Sequence, residues 1–96
     1  MKTFKDIKFK QHRLGKGHIQ GLLMLDNGIE FSVVAGTGMY SAGKNGVRGP
    51  VDDIKDVSSF EVAIFAPDGK FIESEAGQTL GWQSREDINK LIQIHA

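Results

Sequence analysis

Ninety-six residues with twelve basic and twelve acidic side chains, three histidines and no cysteine exclude several protein classes at once. Such a length supports one core, balanced charge gives no bulk attraction to nucleic acid or membrane, and disulfides, thiolate metal sites and cysteine nucleophiles are removed. A composition that is 40% hydrophobic and 25% charged suits an ordinary globular domain, so a single domain over residues 1–96 is expected.

The first segment, MKTFKDIKFK, alternates charge with apolar residues and has no apolar centre, so no secretory leader is expected. No run approaches membrane-spanning length, and a cytoplasmic location follows as the expectation. From Phe4 to Gln11, Ile7 and Phe9 fall on one side and Lys8, Lys10 and His12 on the other, the period-two pattern of a half-buried edge strand. His18 to Leu25 and Ile29 to Ala35 are apolar runs separated by Asp26-Asn27-Gly28. Asn-Gly is a strong hairpin signal because both central residues of a type I′ turn need positive φ. Ile29, Phe31, Val33 and Ala35 should point inward, with Glu30 and Ser32 outward.

Next comes GTGMYSAGKNGVRG, residues 36–49, with five glycines in fourteen positions. Poor in large apolar side chains, it is expected to stay out of the core, as either a binding loop or a disordered tip. Phe60 to Ala66 is another strand pattern, turned by Pro67-Asp68-Gly69-Lys70 into Phe71 to Glu73 as a second hairpin. Trp82 is expected to tuck beneath the entry of a C-terminal helix. That helix is announced by Ser84 as N-cap, acids in the first turn, and a stripe of Ile88, Leu91, Ile92 and His95. The expected fold is α+β, an antiparallel meander of four to five strands covered by one helix.

Gly38 to Lys44 satisfies G-x-x-x-x-G-K, but Asn45 stands where a P-loop needs Ser or Thr, and Gly46-Val47-Arg48-Gly49-Pro50 cannot begin a helix. Nucleotide hydrolysis is not expected; a phosphate cradle built from glycine backbone, Lys44 and Arg48 is the weaker surviving form, against a merely solvated hairpin tip. Six cations face only Asp6 in the first sixteen residues, yet no aromatic interleaves them to stack bases, so nucleic-acid binding is not expected. A lysine-blunted edge strand accounts for them better. The acidic run Val51 to Asp56 does not have EF-hand spacing. His12, His18 and His95 are scattered, and no nucleophile elbow is present. Neither an enzyme nor a cofactor is expected.

Taken in order, FKDIKF at Phe4–Phe9, LDNG at Leu25–Gly28 into FSVV, the Tyr40 loop, FEVAI at Phe60–Ile64 and LGWQSREDI at Leu80–Ile88 resemble a group of small uncharacterised accessory proteins of tailed bacteriophages and prophages. The chain departs from them in a longer middle insertion, Lys44 to Ser59. The resemblance implies an accessory phage protein in the cytoplasm of an infected cell, with no catalytic residues to transfer. By analogy it implies a protein that binds and inhibits a host component, such as part of a defence system. The contact element is then the segment 36–59, with Met39, Tyr40, Lys44 and Arg48 as partner-binding residues, since Met, aromatic residues and Arg concentrate at interface centres. A nucleotide-binding sponge and a small virion component are the alternatives. Exposed edges of a short sheet are compatible with a homodimer.

Overall fold

The computed structural model describes residues 2–72 and 77–96. Five strands, β1 (Lys8–Gln11), β2 (His18–Met24), β3 (Glu30–Gly36), β4 (Phe60–Phe65) and β5 (Thr79–Gln83), form one antiparallel sheet in the order β1-β2-β3-β4-β5. One helix, α1 (Arg85–His95), follows. The α+β meander with a covering C-terminal helix is therefore the fold.

Alternation decides which face is covered. Ile19 and Leu23 on β2, Phe31, Val33 and Ala35 on β3, and Phe60, Val62 and Ile64 on β4 are all buried, as are Ile88 and Ile92 of α1. Side chains at the intervening positions point to the other face. Phe31 closes the helix end of the core with an edge contact to His95, ring centres 6.0 Å apart.

The expected first strand is shorter than its pattern. Phe4–Asp6 forms a 3-10 turn, closed by Asp6 N–H to the Thr3 carbonyl at 2.9 Å and by Thr3 N–H to the Asp6 carboxylate at 2.8 Å. The turn sends the Phe4 ring inward against Phe60, centroids 5.3 Å apart.

The β2–β3 hairpin is present, but its turn is not type I′. Only Gly28 of the loop has positive φ, +88°. The Gly28 N–H bonds the Leu25 carbonyl at 3.0 Å and the Leu25 N–H bonds the Ile29 carbonyl at 2.8 Å. This is the three-residue loop ending in one left-handed glycine, so Asn27 is free to donate to the His95 carbonyl at 2.7 Å. Pro67-Asp68-Gly69 repeats the design, with Gly69 at +86° and Ala66 N–H to the Lys70 carbonyl at 2.8 Å. Beyond it, Phe71 makes a single bridge to Phe65; Glu73, the expected strand end, lies outside the described residues. The ladder with β4 is carried mainly by β5, which the sequence pattern did not assign.

The middle segment corrects another expectation. Val51 and Val57 belong to the core, and Met39, Ser41 and Ala42 are buried with them. Glycines and small side chains let the backbone run close to the sheet end, and the few apolar residues suffice to seal it. Val51 N–H bonds the Gly17 carbonyl at 2.9 Å and Asp52 accepts from Gly17 N–H at 2.7 Å. A 3-10 turn, Ile54–Asp56, then lies beside the start of α1, so helix and connection cover the sheet jointly.

Candidate functional site

Tyr40, Arg48 and Trp82 come together at the outer end of β4 and β5. Gly36 N–H donates to the Ser41 hydroxyl at 3.1 Å and Met39 N–H to the Gly36 carbonyl at 3.2 Å, bending the chain sharply after β3. Tyr40 N–H then donates to the Glu61 carboxylate at 3.0 Å, and the Tyr40 carbonyl accepts from Trp82 N–H at 2.8 Å.

Trp82 is placed by a bulge in β5. Phe60 pairs with Gln83 and Val62 with Leu80, so Gly81 and Trp82 together oppose the single residue Glu61. Trp82 takes the left-handed φ of +51°, a conformation that costs a bulky L-residue roughly 1 kcal/mol. Gly81 is needed for the approach, since a Cβ there would lie 2.8 Å from the Tyr40 Cβ. The bulge turns Trp82 out of the sheet, and the expected position beneath the helix entry is thereby corrected: the residue is 51% exposed.

The indole meets the Tyr40 ring at a centroid distance of 5.3 Å and an interplanar angle of 46°. Arg48 lies over both, its guanidinium carbon 5.5 Å from the Tyr40 centroid and 5.8 Å from that of Trp82. One Arg48 nitrogen donates to the Met39 carbonyl at 3.0 Å, which fixes the fork. Among the described residues no carboxylate lies within ion-pairing distance of Arg48. The result is a cation fixed over two half-exposed rings, with donors left for an outside acceptor.

Of the four residues expected to contact a partner, Tyr40 and Arg48 stand in this cluster. Met39 contributes its carbonyl, while its side chain is 9% exposed and faces inward. Lys44 is exposed on the tight turn between Gly43 and Val47, where Gly43 N–H bonds the Val47 carbonyl at 2.8 Å, and has no contact with the two rings. Trp82 was missed as a site residue; glycine directly before an aromatic in a strand was the available signal, because it marks a bulge or a close backbone approach.

Other chemistry has less geometry behind it. The His12 and His18 rings are 6.5 Å apart, and His12 titrates below its usual range through desolvation first, then the charges of Arg13 and His18. No group of three or more His, Asp or Glu close enough to hold a metal occurs among the described residues, and no helix there is long and apolar enough to cross a membrane.

Compared with protein-family models, curated proteins and solved structures, the chain matches none.

Proposed function

We propose that this is a non-enzymatic binding protein that docks on a protein of a bacterial host and inhibits it, with Tyr40, Arg48 and Trp82 as the anchor of the contact. The observation that carries the reading is Trp82: its backbone takes an unfavourable conformation, and the side chain presented there is half-exposed beside a second aromatic. Strain combined with exposure is understandable where binding repays it. Trp, Tyr and Arg are also the residues that dominate interface energetics when fixed before docking. Among the described residues no carboxylate pairs with Arg48, which leaves its donors for an acidic side chain or a chain terminus of the partner. The host assignment rests on the resemblance to phage accessory proteins.

Affinity capture from bacterial lysate with the tagged protein tests this. A stoichiometric bacterial protein captured by the wild type, and lost with Tyr40→Ala/Arg48→Ala at unchanged circular dichroism and melting temperature, is expected. The expected loss of affinity is at least about 30-fold. Full binding by the double variant would overturn the anchor. A released nucleotide without a protein would replace inhibition by the sponge reading.

A further inference from the structure

We propose that the outer edge of β1 binds an extended partner segment of alternating acidic and apolar residues, added antiparallel to the sheet as a further strand. β1 and β5 are the opposite edges of the sheet, so this site is separate from the Tyr40–Trp82 cluster on β5. The register sets which backbone groups are open there. His12 N–H bonds the His18 carbonyl at 2.9 Å, continuing the register that pairs Gln11 with Ile19 and Lys10 with Gln20. Bonded and non-bonded pairs alternate in an antiparallel ladder. Lys8 and Lys10 therefore turn their N–H and C=O toward β2, while Phe9 and Gln11 aim theirs outward. Among the described residues nothing bonds those outward groups.

Two shallow hollows beneath this edge meet at Ile54, one bounded by Phe4, Ile7 and Arg85, the other by Phe9, Gln11 and Asp52. Phe9 and Ile54 are only partly buried. Phe9 is held in place by Phe4 and Phe60, ring centroids 5.7 and 5.5 Å away. An added strand lays its core-facing side chains over this apolar floor while its backbone completes the ladder.

Charge selects the occupant and its facing. Lys8 and Lys10 stand on the other face, beside Leu22 and Gln20, exposed and with no ion pair among the described residues. On the core side the charges are Asp52 and Asp53, which accept from Gly17 N–H and Lys55 N–H. Acidic side chains opposite Lys8 and Lys10, with apolar ones opposite Phe9 and Gln11, suit both faces. A slip of one residue would send the acids toward Asp52 and Asp53. A second copy of β1 is disfavoured: every antiparallel register that pairs Phe9 or Gln11 with either of the same residues sets Lys10 opposite Lys8, Lys10 or His12.

Titration of the whole protein with a capped peptide of about nine residues alternating Glu and Val, followed by amide NMR and hydrogen exchange, tests the proposal. Dissociation is expected at about 10–100 µM. At saturation the Phe9 and Gln11 amides should exchange at least about tenfold more slowly, with the Trp82 amide unmoved. N-methylation of the Val residues should abolish binding, since their amides face β1, whereas N-methylation of the Glu residues should spare it. Lys8→Glu/Lys10→Glu should weaken the Glu–Val peptide at least about tenfold and accept a Lys–Val peptide instead. A folding defect cannot produce that exchange of preference. No change at Phe9 and Gln11 up to about 1 mM peptide, tolerance of the Val-methylated peptide, equal binding of a peptide with the same residues in two blocks, or indifference to the charge reversal would overturn the proposal.

Discussion

At the scale of single residues, Trp82 separates stability from function. Trp82→Gly removes the left-handed penalty of roughly 1 kcal/mol but also the ring contacts with Tyr40 and Arg48, which are half in water and worth about as much. Calorimetric melting should therefore move by no more than about 5 °C, while partner capture is lost. A large fall in melting temperature would make the ring a structural support rather than an anchor. Gly81 behaves in the opposite way: a side chain there pushes against Tyr40, so its absence is part of the backbone architecture that holds the site. Met39 illustrates why residue type alone misleads, since an adaptable apolar side chain suits a core gap as well as an interface, and here burial decides.

Among the elements, the helix has the clearest local logic. Asp87 N–H donates to the Ser84 hydroxyl at 3.1 Å and Ser84 N–H returns to the Asp87 carboxylate at 3.0 Å, a reciprocal cap on an eleven-residue helix. Ser84→Ala should cost about 1 kcal/mol and lower the melting temperature by roughly 4–8 °C. The Asp87 carboxyl titrates below its ordinary value, chiefly because the Ser84 backbone N–H bonds its charged form, with help from the Ser84 hydroxyl and the charge of Lys90, against a small opposing desolvation. A depressed carboxyl pKa stabilises the fold above the unfolded value of 3.8, and the gain is lost as pH falls through the folded pKa. The advantage of wild type over Asp87→Asn should be present at pH 6 and shrink below about pH 4, as read by thermal melts across that range. The hairpins, by contrast, tolerate more than one turn geometry, and the loops chose the form needing a single left-handed glycine.

For the whole molecule, Arg85 is the junction. Its guanidinium donates to the Val57 carbonyl at 2.8 Å and the Ile54 carbonyl at 2.9 Å. It also lies over the rings of Phe4 and Phe60, 5.4 and 5.3 Å from their centres. Helix start, middle connection, N-terminal turn and sheet are thereby held by one side chain. Arg85→Lys keeps the charge but cannot reach two carbonyls in one plane or stack over two rings. It should destabilise by about 2 kcal/mol, and hydrogen exchange should show faster exchange over Ile54–Val57 without a comparable change in the β2–β3 hairpin. Equal loss of protection in both would remove the junction role.

By itself the sequence determined the strand alternation of β2, β3 and β4, the loop glycines and the capped helix stripe. Each of these is set by contacts within a few residues or by a repeat that only one buried face satisfies. The same locality explains why Tyr40 and Arg48, eight positions apart in one segment, could be singled out from residue type. Tertiary structure alone decided that the connection after the glycine-rich segment seals the core through Val51 and Val57, since its few apolar residues acquire meaning only against the sheet end. It also decided that Trp82 joins Tyr40, because a bulge depends on how two strands pair, and the left-handed φ of one tryptophan follows from a backbone bond to a residue forty-two positions earlier.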